Sequence, residues 1–291
     1  MELTPDPPSA RLTGPRPPLD PRRHIARPDL VEIGLAGEVA AARYVAPVAL
    51  RCAVPRIALR AAGDAAATAV SELLCGERFD VFEYADGWAF GRSVADRYTA
   101  WVRSDALADP GEEPSHRITT RTAPVFSMAD IKSAVVVELP FGAMVAGTPG
   151  DRFLALTGGG FVHNRHLAAL PADPIAIARV FVGAPYLWGG RTPAGVDCSG
   201  LVQAALSACG IACPRDSDQQ RDELGHAIAF EDRATGDIVF FPGHVGLLTD
   251  RDTLFHANAQ WMATVEEPLA DAIARLVASG VETPVTGVRR L

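Results

Sequence analysis

The stretch that decides the fold reads GAPYLWGGRTPAGVDCSGLV and runs from residue 183 to residue 202. Its glycine-rich loop leads to Cys198, which opens a segment whose apolar residues over 199–209 share one helical face, with Gly210 placed to end the helix. A thiol at a helix N-terminus feels the positive end of the macrodipole, so we expect the thiolate to be favoured. A single cysteine is more often a small buried hydrophobe. The position nevertheless makes Cys198 a candidate nucleophile whose neighbouring N–H groups could hold an oxyanion.

The chain from residue 171 onward places helices first and strands afterwards. Asp173 and Pro174 supply a cap and a first helical residue for a helix over 175–181. Predicted strands cover 237–241, 244–248, 253–257 and 285–290, and a further helix covers 268–279. This order is typical of an α+β domain.

A nucleophilic cysteine requires a base that titrates near neutrality, and the seven histidines are the candidates. If the predicted hairpin turns at Arg251, Gly246 lies opposite His256 and His244 is the diagonal neighbour of His256 on the same face. One histidine could then orient the ring of the other, as in a catalytic triad. A register shifted by one residue separates the two faces and leaves two unrelated histidines. The other five histidines receive no role.

The region before residue 171 contains a weak internal repeat. Glu72-Leu73-Leu74-Cys75-Gly76 recurs 66 residues further on as Glu138-Leu139-Pro140-Phe141-Gly142. Short alternating stretches interrupted by Gly and Asp are typical of small β-barrels. We therefore expect two tandem barrels, over 48–109 and 115–170, behind an arm and lead-in over 1–47.

Composition limits the classes of function. The 291 residues are 48% hydrophobic and 21% charged, which excludes wholesale disorder, and a net charge of −8 argues against a nucleic-acid partner. Five cysteines are an odd number, so at least one thiol is free, and the spacing of Cys209 and Cys213 lacks a second ligand pair for zinc. We expect no metal and no cofactor.

The first 24 residues contain seven prolines and no apolar run, which predicts a solvated arm rather than a secretory signal. No stretch approaches the length of a membrane span. We therefore expect a cytoplasmic protein that does not bind a membrane and requires no protein partner.

Several motifs in the same order make a family resemblance specific. They are the stretch already quoted, Pro214-Arg215-Asp216-Ser217 with Gln220, Gly236-Asp237-Ile238-Val239-Phe240-Phe241, Gly243-His244-Val245-Gly246 and Phe255-His256-Ala257. Together they closely resemble the NlpC/p60 family of cell-wall cysteine peptidases. The resemblance covers 171–291 and implies a papain-like α+β domain with Cys198 as nucleophile, His244 as base and His256 as the orienting residue. The two preceding units are similar to the bacterial SH3-like domains that often accompany this peptidase.

Within that family, this arrangement is similar to the γ-D-glutamyl-L-diamino acid endopeptidases of murein peptide recycling. The resemblance implies cleavage after D-Glu in L-Ala-γ-D-Glu-diamino acid peptides that have a free N-terminal L-Ala, with release of L-Ala-D-Glu. It also implies a substrate pocket formed by Tyr186, Asp197, Ser199, Asp216 and Ser217. The first barrel would close this pocket with Glu83 and Tyr98 near the amine, although Asp96-Arg97-Tyr98 departs from the Gly-Tyr pair usual in the family.

Two other hypotheses remain open from the sequence. The first is an exported hydrolase that trims intact wall and uses the barrels to bind glycan or peptide stems. The second is a wall-peptide binding protein whose peptidase domain has lost activity.

Overall fold

The computed structural model describes residues 18–291, which form a lead-in segment, two β units and a C-terminal α+β region. The lead-in segment, residues 18–47, has a small sheet in which β2 is central, made of β1 (Ala26–Arg27), β2 (Leu30–Glu32) and β3 (Tyr44–Val45). Ile25 and Leu30 are buried against Phe82 of the first β unit. Thr99 binds the carbonyls of Pro21 and Arg22. Of the predicted solvated arm, residues 18–24 are exposed or half-buried although Pro21 and Arg22 contact the first β unit, and residues 1–17 lie outside the described residues.

The first β unit, residues 48–108, is a seven-stranded sheet in the order β10-β4-β7-β8-β9-β5-β6. Its core holds the apolar side chains that point inward from alternate strand positions, among them Leu59, Leu73 and Phe79. The strands are β4 (Val48–Cys52), β5 (Arg56–Arg60), β6 (Ala69–Leu74), β7 (Arg78–Ala85), β8 (Trp88–Ser93), β9 (Thr99–Arg103) and β10 (Leu107–Ala108).

The second β unit, residues 116–167, has a five-stranded sheet in the order β13-β12-β17-β16-β15 and a two-stranded sheet of β11 and β14. Its separate core includes Ile118, Leu139 and Leu154. The strands are β11 (His116–Arg117), β12 (Thr122–Phe126), β13 (Val135–Pro140), β14 (Met144–Val145), β15 (Gly147–Pro149), β16 (Phe153–Leu156) and β17 (Phe161–His163).

The two β units share a hairpin with the same register, which supports the internal repeat. In the first unit Arg56 pairs with Leu74, and in the second Thr122 pairs with Pro140. The pairing shifts after Leu59 in one hairpin and after Val125 in the other, so the irregularity also recurs at the offset seen in the sequence. The order of the strands that follow is the same in both sheets. The assignment of both units as SH3-like barrels stays a prediction at this point.

The C-terminal region is built on a six-stranded sheet in the order β20-β25-β21-β22-β23-β24, with α2 packed on β22 and β23. Its elements are α1 (Pro174–Ala178), β18 (Arg191–Thr192), β19 (Gly195–Val196), α2 (Cys198–Ala208), α3 (Ser217–Glu223), β20 (His226–Ala227), β21 (Ile238–Phe241), β22 (His244–Asp250), β23 (Thr253–Asn258), β24 (Ala263–Pro268), α4 (Leu269–Ala278) and β25 (Gly287–Arg290). The predicted elements lie within a few residues of the observed ones, whereas β18, β19, α3, β20 and β24 were not predicted. Within residues 18–291, no helix is long and apolar enough to cross a membrane.

Polar side chains join the first β unit to the C-terminal region. The buried guanidinium of Arg191 binds both carboxylate oxygens of Glu77, at 2.8 and 3.0 Å, while its Nε donates to Gln203 at 2.9 Å. Gln203 in turn donates to Asp96 at 2.9 Å. Bidentate Arg–carboxylate pairs fix orientation as well as distance. These contacts hold the first β unit against α2, the helix whose first residue is Cys198.

Candidate active site

Cys198 is the first residue of α2, and its neighbour Asp197 caps the helix. The Asp197 Oδ1 atom accepts a hydrogen bond from the Gly200 N–H at 2.7 Å, which satisfies one of the free donors at the helix start. Cys198 is 6% exposed, and the backbone N–H groups of Ser199 and Val245 act to lower the pKa of its thiol.

Burial and the Asp197 carboxylate raise the pKa of the Cys198 thiol to about 11. The helix-start N–H of Ser199 acts in the expected direction and lowers this pKa, but burial outweighs it. Removal of the sulfur from water disfavours its charged form more strongly than the helix dipole and the two N–H groups favour it. Burial thus favours the neutral form of the Cys198 thiol.

His244 and His256 lie on β22 and β23, which pair in the predicted register, with Leu247 opposite Phe255. The Nε2 atom of His244 is 2.8 Å from Nδ1 of His256. Gly246 makes this approach possible, because a Cβ atom at that position would lie 3.0 Å from the Cβ of His256. Val245, the residue after His244, belongs to the same core as Cys198, and α2 packs on β22 and β23, the strands that carry the two histidines.

Glu267 extends the histidine pair by one residue, and the sequence analysis missed it. Its Oε1 atom is 2.8 Å from Nε2 of His256, and the carboxylate is only 8% exposed. Glu267 also accepts hydrogen bonds from the Trp261 indole, at 3.3 Å, and from the Arg275 guanidinium. Arg275 lowers the pKa of Glu267 against the effect of burial, which keeps the carboxylate ionised.

The Glu267 carboxylate fixes the tautomers of both imidazoles. An ionised carboxylate can only accept, so the proton of neutral His256 lies on Nε2 and its Nδ1 accepts. Nε2 of His244 must then be the donor to His256, which leaves Nδ1 of His244 with a free lone pair. Burial lowers the pKa of both histidines, and Glu267 opposes this for both. The hydrogen-bonded series that starts at Glu267 therefore ends in the neutral imidazole of His244, whose unprotonated Nδ1 is available as a base.

Asp197, one of the predicted pocket residues, forms a buried ion pair with Arg215. Arg215 is 1% exposed and binds the two carboxylate oxygens of Asp197 at 3.0 and 2.6 Å. The same guanidinium reaches the hydroxyls of Ser199 and of Ser71, which comes from β6 of the first β unit. Asp197 Oδ2 also accepts from the Gly189 N–H at 2.8 Å. The hydrogen-bonding capacity of Asp197 is largely used within the protein, where it positions the glycine-rich loop and the start of α2.

Tyr98 and Asp216 meet where the first β unit faces α3. The Tyr98 hydroxyl donates to Asp216 Oδ2 at 3.1 Å, and Arg22 of the lead-in segment binds the same oxygen at 2.9 Å. Asp216 Oδ1 accepts no hydrogen bond from any residue between 18 and 291. Ser217, the first residue of α3, follows directly. Tyr186 is half-buried, and burial together with Cys198 and Asp197 raises its pKa to about 12.

Glu83 does not join this cluster. Its carboxylate is 2.7 Å from Arg27 and 3.8 Å from Arg43, both in the lead-in segment. None of the hydrogen bonds or ion pairs of the described residues connects it to Tyr98 or Asp216. The expectation that Glu83 lies near the substrate amine stays a prediction, whereas the acidic residue that contacts Tyr98 is Asp216.

Comparisons with known proteins agree with this architecture. Residues 183–277 match the model of the NlpC/P60 family, and residues 59–107 match that of the bacterial dipeptidyl-peptidase SH3 domain. The chain carries an NlpC/P60 domain behind a bacterial dipeptidyl-peptidase SH3 domain. The NlpC/P60 match contains Cys198, His244, His256, Glu267 and Arg275, whereas Tyr98 lies in the SH3 match.

Relatives and a solved structure extend the comparison beyond the two matched domains. Dipeptidyl-peptidase 6 of Lysinibacillus sphaericus is 28% identical over 69% of this chain and 84% of its own length. The γ-D-glutamyl-L-lysine dipeptidyl-peptidase of Bacillus subtilis is 34% identical over 29% of this chain, which is 31% of that protein. A crystal structure of an NlpC/P60 family protein from Bacillus cereus superposes with a TM-score of 0.70 over 84% of this chain and 99% of its own, at 20% identity. At that identity the superposition shows a shared fold.

Within residues 18–291, the NlpC/P60 domain and its neighbours group no set of His, Cys, Asp or Glu side chains that could hold a metal ion. All five cysteines are free thiols. The chemistry that the site can perform with its own groups is attack by the thiol with the assistance of a neutral imidazole.

Proposed function

We propose that this protein is a cysteine peptidase that hydrolyses the bond between γ-D-Glu and the diamino acid of murein peptides with a free N-terminal L-Ala, releasing L-Ala-D-Glu. The observation that carries the proposal is the hydrogen-bonded chain of His244, His256 and Glu267, because two of its members lie on the strands against which the helix that begins at Cys198 packs. The names of the relatives support the class of reaction.

In the proposed reaction, Cys198 Sγ attacks the γ-carbonyl carbon of D-Glu while its proton moves to Nδ1 of His244. The Cys198 and Ser199 N–H groups donate to no acceptor among the described residues, so these are the helix-start donors left for the oxyanion. Collapse breaks the C–N bond, and the His244 imidazolium returns the proton to the amine of the leaving diamino acid. Water then attacks the thioester, with its proton passing to His244, and the thiol is restored as L-Ala-D-Glu leaves.

Charge complementarity at Tyr98 and Asp216 supports the requirement for a free amine. An ammonium group pairs favourably with a carboxylate, and Asp216 Oδ1 is the oxygen without a partner among the described residues. Arg22 and Tyr98 hold the other oxygen and so fix the orientation of the carboxylate. The wall formed here by the first β unit would exclude peptides whose amine is attached to glycan.

The test compares hydrolysis of L-Ala-γ-D-Glu-diaminopimelate with that of its N-acetylated form and of polymeric wall. We expect release of L-Ala-D-Glu from the free tripeptide, at least tenfold less from the acetylated one, and none with Cys198→Ala. Asp216→Asn should lower kcat/KM for the free amine and leave the acetylated substrate unaffected, because only the ammonium needs the charge.

Other outcomes identify other functions. Equal rates on free, acetylated and polymeric substrates would favour a hydrolase of intact wall. Binding of the peptides without turnover would favour a wall-peptide binding protein. The proposal also retains the cytoplasmic location expected from the sequence, and fractionation of cells that produce the protein tests it.

A further inference from the structure

A second cavity lies on the histidine side of the candidate active site. This α4 cavity, of about 370 Å³, is bounded by Tyr186, His244 and His256 on one side and by α4 and the end of β23 on the other. All of its lining residues come from the C-terminal region, so it is distinct from the cluster that includes Ser71 and Tyr98 of the first β unit.

The two regions correspond to the two sides of a bond cleaved at Cys198. On the proposed function, the acyl part of the substrate extends toward Asp216 and the first β unit. The amine that leaves must then lie near His244, which gives it a proton. The α4 cavity borders the ring of His244 and is therefore a space open to the leaving residue.

Arg275 defines the chemistry of this space. It is the one arginine among the described lining residues, none of which is acidic. The Nη2 atom of Arg275 binds Glu267, but its Nε and Nη1 atoms donate to no residue between 18 and 291. The side chain is 34% exposed, and the guanidinium lies over the Trp261 ring, which limits its movement. Donors held in this way suit a carboxylate.

We propose that the α4 cavity binds the diamino acid residue of the substrate and that Arg275 pairs there with a carboxylate of that residue. This inference rests on the proposed function and names a residue that selects its substrate. The carboxylate has two possible sources, the C-terminus of the peptide and the side-chain carboxylate of diaminopimelate, which lysine lacks.

The test measures kcat/KM for three tripeptides with the same L-Ala-γ-D-Glu part. Their third residues are diaminopimelate, lysine, and lysine with an amidated C-terminus. We expect kcat/KM for the amidated peptide to be about 10- to 100-fold lower than for the best substrate, because the amide cannot form the hydrogen-bonded charge pair. A rate for diaminopimelate well above that for lysine assigns the side-chain carboxylate, whereas equal rates for these two assign the C-terminus.

Arg275→Gln should make kcat/KM nearly equal for the three peptides, because the variant has no guanidinium to distinguish their carboxylates. If Arg275 acted only through Glu267 and His256, the substitution would lower all three rates by the same factor and preserve their ratios, and the proposal would be overturned. Arg179→Gln is the matched control, because Arg179 pairs with Glu266, the neighbour of Glu267 on β24, and lies outside the cavity. It should leave both rates and ratios unchanged.

Binding tests the cavity separately from turnover. Titration with free diaminopimelate should shift the NMR signals of the Trp261 indole, and titration with lysinamide should shift them far less. Equal responses to the two, or no response, overturn the cavity proposal even when peptides are hydrolysed. A selective response without hydrolysis of any wall peptide would leave the cavity proposal standing and defeat the proposed function.

Discussion

Replacement of Glu267 by glutamine tests whether a buried carboxylate sets the protonation pattern of the whole histidine pair. Glutamine has the same shape but can turn its NH₂ group toward Nε2 of His256. That arrangement would move the His256 proton to Nδ1, so that His256 donates to Nε2 of His244. The His244 proton would then lie on Nδ1, the nitrogen that must accept the thiol proton. We therefore expect the Glu267→Gln variant to hold its base in the wrong tautomer.

Two magnitudes bracket the loss of activity. The His244 ring lies one imidazole beyond the carboxylate, roughly 8 Å away, where Coulomb's law with an effective dielectric constant of about 20 gives about 2 kcal/mol. The loss of this stabilisation from the imidazolium alone would lower kcat about 30-fold. A wrong tautomer costs more, since the equivalent carboxylate-to-amide change in serine peptidases lowers kcat by about 10⁴.

The assay combines steady-state kinetics with nitrogen-15 NMR of the histidine rings, which distinguishes a protonated from an unprotonated ring nitrogen. In the native protein both rings should carry their proton on Nε2, and in Glu267→Gln both should carry it on Nδ1. Glu266→Gln is the matched control, because Glu266 is adjacent on β24 and its side chain is 40% exposed beside Arg179. It should change neither the tautomers nor kcat.

Unchanged tautomers together with a kcat within threefold of the native value would refute the reasoning, because Glu267 would then have no influence on His244. A loss of activity with native tautomers and a lower melting temperature would assign Glu267 a role in stability alone. Glu267→Asp adds a further check. A shorter carboxylate retains the acceptor and should keep the native tautomers even if the rate falls.

Two other predictions concern stability and pH. Arg215→Leu leaves the Asp197 carboxylate buried without its partner, so the free energy of unfolding measured in urea should fall by about 3 to 5 kcal/mol. The control is Arg221→Leu at an exposed ion pair, which should lower it by less than about 1 kcal/mol. Equal losses in the two variants would contradict a buried role for Arg215. Because burial raises the pKa of the Cys198 thiol to about 11, the thiolate fraction should grow as pH rises, and alkylation of Cys198 by iodoacetamide in the free protein should accelerate about tenfold per pH unit between pH 6 and 9. A rate that does not depend on pH in this range, measured by mass spectrometry, would instead indicate a thiolate–imidazolium pair at rest.

The sequence predicted the parts of the site that depend on local spacing. The start of α2 follows from the cap at Asp197 and the apolar face that begins beyond Cys198. The diagonal relation of His244 and His256 follows from a short turn and the two-residue period of strands, and the observed register agrees with it. These features are set by residues close together in the chain, which explains why their geometry could be stated before the structure was known.

Long-range electrostatics accounts for what the sequence did not predict. The pKa of the Cys198 thiol depends on how deeply the thiol is buried, and a helix terminus alone does not specify that. Asp216 and Tyr98 come from different domains, so no spacing rule relates them, and only the family resemblance placed them in one pocket. Glu267 lies on β24, a strand that was not predicted, beside an acidic neighbour that is exposed.

The position of Glu267 links the two sides of the site. Its carboxylate receives the His256 imidazole on one side and the Arg275 guanidinium on the other. A carboxylate of the leaving residue that binds Arg275 would share the positive charge of the guanidinium with Glu267. The Glu267 carboxylate would then be neutralised less by Arg275, and its attraction for a positive charge on the histidine pair would be stronger. The His244 imidazolium, which forms as the thiol proton is transferred, would then be stabilised more strongly when the correct leaving group is bound. Substrate selection at Arg275 would therefore affect kcat as well as KM, and Glu267→Gln should remove the part that appears in kcat while leaving the part that appears in KM.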